Sequence, residues 1–151
     1  MILISHRGNI NGRIEEVENN PEYIDSAIKA GYDVEIDAWV VNGFIMLGHD
    51  EPTYPVDIEW LRSRITKLWI HCKNIAALEL FDDLVEFHYF WHESDTVTIT
   101  SQMVIWAYPG NQPIKNSIAV MPEMCKDNIT ECLGICSDYI KLYRNEIKQA
   151  E

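Results

Sequence analysis

Glu35 and Asp37 stand two residues apart inside the stretch Asp33 to Asp50, DVEIDAWVVNGFIMLGHD. Val34, Ile36 and Ala38 alternate with them, the period-2 pattern of a strand. That spacing sends both carboxylates out of one face. Like charges side by side repel, so the pair calls for something cationic between them. The competing reading is an acidic strand face left in water. His49 follows in the same stretch, after an Asn42-Gly43 turn and a second apolar run. At the start of the chain, Ile2 to Ile4 stop at Ser5-His6-Arg7-Gly8, which puts a histidine and an arginine at a strand's carboxyl end. His6 taken alone reads as a structural histidine; beside the carboxylates and His49 it reads as part of a site.

The elements that must position these residues alternate. Asn20-Pro21 starts a helix with Asn20 as its cap, and Gly31 stops it. Asp57 to about Ile65 reads as a short helix and Leu68 to Cys72 as a strand ending in His71-Cys72-Lys73. Asn74 caps a further helix. Phe87 to Trp91, Val97 to Thr100 and Met103 to Tyr108 read as strands, with no helix between His92 and Asn116. Ser117 to Val120 is a strand, Lys126 to Leu133 a short helix stopped by Gly134, and Ile135 to Ser137 a last strand before a C-terminal helix. Strands alternating with helices predict parallel pairing through crossovers. Polar groups recur at the strand ends: His6, Glu35 with Asp37, His49, His71 with Lys73, His92, Glu123 and Asp138. The expected fold is therefore α/β, a reduced (β/α) TIM-type barrel with missing helices, its site at the carboxyl mouth. Such barrels typically take about 250 residues, so this chain must shed helical cover; an open α/β sheet is the other architecture.

The 151 residues predict one domain, 1–151, with a sizeable core. A formal net charge of −12 argues against nucleic acid or an anionic membrane surface as the main partner. It also means that an anionic substrate needs a metal ion or a local cluster of Arg and Lys. Cys72, Cys125, Cys132 and Cys136 form no CxxC pair, so reduced thiols in a cytoplasmic protein are the expectation. MILISHRG lacks the basic region of a secretory leader, and no apolar run reaches membrane-spanning length.

The ordered set His6-Arg7-Gly8, Glu18-Asn19, the helix ending AIKAG, Glu35-x-Asp37 and Gly48-His49-Asp50 resembles the N-terminal half of glycerophosphodiester phosphodiesterases. These belong to the phosphatidylinositol-phospholipase-C-like barrels. Beyond Asp50 the likeness thins to LWIHCK and GICSDYI. The resemblance implies that His6 and His49 are the general acid and base. It implies that Glu35 and Asp37 hold a divalent metal and that Arg7 and Lys73 bind phosphate. The family's third metal carboxylate maps onto His71. An imidazole in that place weakens the site for Mg²⁺ or Ca²⁺ and shifts it towards Mn²⁺ or Zn²⁺, unless another carboxylate such as Glu123 stands in.

Phosphodiester cleavage needs a cation on the phosphoryl oxygens, a base for the attacking hydroxyl and an acid for the leaving alkoxide. Histidine, titrating near pH ~6.5, serves either proton role near neutrality. The expected activity is metal-dependent hydrolysis of a small glycerophosphodiester-like substrate. A catalytically inactive phosphate-binding module of the same fold is the alternative. Trp91, Trp106 and Tyr108 read as core, His88 as structural, and a bare barrel flank predicts a homodimer.

Overall fold

The structure is a computed structural model and describes residues 1–150. Strand β1 (Ile2–His6) leads through a polar loop to helix α1 (Pro21–Lys29). The Asn20 side chain caps α1 by accepting from the Glu22 N–H at 2.9 Å, with Pro21 in the first turn. Strand β2 (Asp33–Val41) turns at Asn42-Gly43 into β3 (Phe44–Leu47), and β4 (Tyr54–Val56) extends this hairpin. Helix α2 (Ile58–Arg62), strand β5 (Leu68–Cys72) and helix α3 (Ile75–Asp83) follow, the last capped by Asn74. Then come β6 (Tyr89–Trp91), β7 (Val97–Ile99), β8 (Ile105–Ala107), β9 (Ser117–Val120), β10 (Gly134–Ser137) and helix α4 (Ile140–Ala150).

These strands make one mixed sheet of ten strands curled into a half-barrel, with four short helices. Parallel ladders run from β8 through β9, β10, β1, β2 and β5 to β6. The β2–β3–β4 and β7–β8 pairs are antiparallel. The expected reduced (β/α) barrel of alternating strand and helix is therefore corrected. From β6 to β10 the chain passes between strands without an α-helix, and β7 folds back antiparallel on β8. The 126–133 segment is also not a helix. Its Asn128 side chain accepts from Thr130, Lys126 takes a left-handed φ of 54°, and Gly134 pairs within β10. A single 3-10 turn, Pro122–Met124, stands in its place.

The concave face of the sheet explains where the site lies. Ile4, Trp69, Phe90, Trp106 and Cys136, each from a different strand, fill its interior together with Ile118 and Val120. Residues two apart on a strand share a face. Each of those five therefore has a polar partner one step nearer the mouth: His6, His71, His92, Tyr108 and Asp138. The apolar layer is the floor and the polar layer stands on it. Helices α1 and α3 cover β2 and β5 from the convex side with Ile24, Ala27, Ala77 and Phe81. Val97 and Ile99 of β7 remain exposed.

His88 lies at the opposite end of the sheet, buried against Trp69, with its Nε2 2.7 Å from Thr100 Oγ1. Burial pushes its imidazole down to about 4, well under the ordinary ~6.5. A base whose folded value is depressed binds its proton more readily when unfolded. The stability it contributes is whole above pH ~6.5 and drains as pH falls towards 4. Urea midpoints across that window should fall more steeply for the wild type than for His88→Gln. Parallel curves would remove His88 as the cause.

Candidate active site

Glu35 and Asp37 leave the same face of β2, and β5 brings His71 beside them in register with Asp37. One donor atom from each of the three lies within 4.8 Å of the others. Asp37 is fully buried and heavily partnered. Its Oδ2 accepts from Asn19 Nδ2 at 2.9 Å and lies 2.9 Å from Arg7 Nε; its Oδ1 is 3.0 Å from His71 Nδ1 and 3.6 Å from Lys73 Nζ. Burial alone would raise the Asp37 carboxyl. The His71 hydrogen bond and the Arg7, His71 and Lys73 charges outweigh it and hold the group well below the usual carboxylate range.

Glu35 is the opposite case. It is 3 % exposed, and its Oε2 has no hydrogen-bond partner, the nearest side-chain nitrogen of a basic residue being His6 Nε2 at 3.8 Å. Burial, then the neighbouring Asp37, push its carboxyl up. The protein's own cations thus neutralise one member of the pair and leave a buried carboxylate oxygen of the other unpaired. An uncompensated buried charge is costly, and an orphan oxygen beside a second carboxylate and an imidazole fits a divalent ion. His71 Nε2 is engaged by the His92 carbonyl at 3.1 Å, so Nδ1, which pairs with Asp37 Oδ1 at 3.0 Å, is the atom that would exchange that hydrogen bond for an ion. Glu123 does not stand in as a third carboxylate. It is exposed, and its oxygens accept from Ser137 at 2.7 Å and Tyr143 at 2.9 Å.

His6, at the end of β1, sets its Nδ1 2.8 Å from Asp138 Oδ1. The same oxygen accepts from Asn9 Nδ2 at 2.8 Å. A carboxylate fixed on Nδ1 makes that nitrogen the N–H and leaves Nε2 with its lone pair towards Glu35. Burial would raise Asp138, but the His6 hydrogen bond and charge pull it down. His49 follows Gly48, whose carbonyl accepts from Trp39 Nε1 at 2.6 Å and whose φ is 151°. A side chain at position 48 would collide with the Glu51 carbonyl, so glycine is what lets the loop turn His49 towards β2. Burial and then Arg7 hold the His49 imidazole below its ordinary value.

Arg7 is less free than the resemblance implies. It takes a left-handed φ of 55°, and its guanidinium is shared between Asp37 and Glu18 Oε2, the latter at 3.1 Å. Burial lowers its pKa, and Asp37, Glu35 and Glu18 together raise it. The Lys73 ammonium, by contrast, pairs among the described residues with Asp37 alone, at 3.6 Å.

His6, Arg7, Glu35, His49, His71 and Lys73 all line one cavity of about 340 Å³. Its other wall is aromatic: Trp91, His92, Trp106 and Tyr108. Asp37 sits directly beneath the charged side through its contacts with Arg7, His71 and Lys73. Two strand-end residues given no catalytic or ligand role, Asp138 and His92, and one residue the sequence did not single out, Asn9, complete the arrangement. Asp138 and His92 are legible as the i+2 partners of buried Cys136 and Phe90. Asn9 has no such signal, because its contacts span the sequence from Glu18 to Asp138.

Comparison of the chain with protein-family profiles, curated proteins and solved structures finds no match. Among the described residues no helix is long and apolar enough to cross a membrane.

Proposed function

We propose that the chain is a metal-dependent phosphodiester hydrolase acting on a small glycerophosphodiester-like substrate. The observation that carries the reading is the buried, unpartnered Glu35 oxygen beside Asp37 and His71, in a cavity shared with two histidines, Arg7 and Lys73. Glu35, Asp37 and His71 Nδ1 would hold the ion. Two carboxylates with one imidazole suit Mn²⁺ better than Mg²⁺ or Ca²⁺. When bound, such an ion neutralises phosphoryl charge and polarises phosphorus for attack.

The residues supply the rest. Lys73 offers an ammonium with no hydrogen bond of its own to a phosphoryl oxygen, and Arg7 adds fixed positive charge from the other side. His6, oriented by Asp138, takes the proton of the attacking hydroxyl on Nε2 as the new P–O bond forms. Asp138 stabilises the imidazolium this creates. His49 gives a proton to the alkoxide as the old P–O bond breaks. The likeness of HRG, Glu-x-Asp and GHD to the glycerophosphodiesterase motifs supports the same roles.

Release of p-nitrophenol from bis(p-nitrophenyl) phosphate tests this. Turnover should appear with Mn²⁺ and vanish with chelator. No turnover with Mn²⁺, Mg²⁺ or Ca²⁺, while inorganic phosphate still binds, would leave a phosphate-binding module and overturn the hydrolase.

A further inference from the structure

The two histidines of the site are held in different ways. His6 is braced through its side chain, by Asp138 at 2.8 Å. His49 has no such brace. Asp50 Oδ1 lies 2.7 Å from its Nδ1, but the Asp50 side chain is 81 % exposed and the contact is not aligned as a hydrogen bond. A solvent-exposed pairing of that kind fixes little. The aim of the His49 imidazole therefore comes from its backbone, and that backbone hangs on Gly48.

Gly48 is tied to β2 at both of its polar groups. Its N–H donates to the Asp37 carbonyl at 3.1 Å, and its carbonyl accepts from Trp39 Nε1 at 2.6 Å. The first tie is backbone to backbone, so any side chain at position 37 permits it. The second needs an N–H on the side chain at position 39. It also grips the peptide that joins Gly48 to His49. Glycine restrains its own dihedrals least of all residues, so without the indole that peptide is free to rotate and carry the imidazole with it.

Trp39 stands two residues past Asp37 and leaves the same face of β2. Packing does not account for it. Among the described residues Trp39 joins none of the three apolar clusters, although aromatic rings are the largest contributors to most cores. It stays half-buried, with its one polar atom spent on the residue before His49.

We propose that Trp39 is a positioning residue: its indole N–H clamps the Gly48–His49 peptide and so aims His49 at the leaving alkoxide. The inference rests on the phosphodiesterase reading above.

A double-mutant cycle on an alkyl diester, glyceryl methyl phosphate, tests it with Mn²⁺ present, because an alkoxide needs a proton as it leaves. Trp39→Phe keeps a ring and loses the donor. It should lower kcat about 10- to 100-fold, the size of a misplacement near 1 Å. Its affinity for inorganic phosphate should stay within about 2-fold of the wild type, because Arg7 and Lys73 are untouched. In a His49→Ala background the same change should cost less than about 2-fold, since no imidazole is left to aim. Full activity in Trp39→Phe overturns the proposal. An equal loss in both backgrounds does so too, because it marks a purely structural role. If Trp39→Phe fails to fold, the wild type still decides. Its Trp39 indole proton should exchange with deuterium about 5- to 10-fold more slowly than a free indole, the weight of one hydrogen bond; unprotected exchange overturns the clamp. A wild type that turns over neither this diester nor bis(p-nitrophenyl) phosphate overturns the phosphodiesterase reading, and the exchange rate then reports on the clamp separately.

Discussion

Glu35→Gln should abolish tight Mn²⁺ binding and lower turnover about 10²- to 10³-fold, because an ion at a phosphoryl centre supplies several kcal/mol to the transition state. The same variant should fold as well as the wild type, or better, when no metal is present. Its carboxylate is buried, repelled by Asp37 and lacks a donor for Oε2, and an amide carries no charge to desolvate. Added Mn²⁺ should raise the wild-type melting temperature by mass action and leave that of Glu35→Gln unmoved. Asp37→Asn should behave differently. It strands Arg7, His71 and Lys73 around a neutral group, and breaking a buried charge network costs about 3–5 kcal/mol. A metal site predicts this contrast, since one carboxylate is kept for the ion and the other also holds the fold. Equal metal-induced stabilisation of the wild type and Glu35→Gln would remove Glu35 as a ligand.

His6→Ala and His49→Ala should each lose about 10²- to 10⁴-fold in kcat, the usual contribution of a general acid or base. Binding of inorganic phosphate should survive in both, because Lys73 and Arg7 remain. The double variant should lose less than the product of the single losses if the two act as a pair. Asp138→Asn should also cut kcat while sparing phosphate affinity, since its effect runs through the orientation of His6. The pH profile carries the signs. The alkaline limb belongs to His49, which must carry one, and burial with Arg7 sets that limb below pH ~6.5. The optimum should therefore lie on the acidic side of neutrality, and His49→Ala should erase the alkaline limb. Full activity in either histidine variant removes that residue from the mechanism.

The elements and most of the candidate site were legible because they obey local rules. Asn20-Pro21 and Asn74 announced their helices through capping, Asn42-Gly43 its hairpin, and the two-residue spacing of Glu35 and Asp37 their common face. His71 and Lys73 were placed by the end of an apolar run that does form β5. The 126–133 segment failed because propensity over eight residues is weak, and tertiary pairing drew Gly134 into β10 instead. The barrel expectation failed for a related reason. Apolar runs reveal strands, but they do not say whether a neighbour pairs parallel or antiparallel, nor that β7 folds back on β8.

What the sequence determined by itself was therefore an inventory: two carboxylates on one strand face, histidines and cations at strand ends, and enough apolar residues for one core. The tertiary structure decided how those charges share one another, which no spacing encodes. Arg7 divides itself between Glu18 and Asp37, Asp138 crosses 132 positions to reach His6, and His92 lends its carbonyl to His71. Coulomb and hydrogen-bond energies depend on separations of a few ångströms in a low-dielectric interior. Only the curl of the sheet fixes those separations, and with them which buried carboxylate oxygen, Glu35 Oε2, is left without a hydrogen-bond partner.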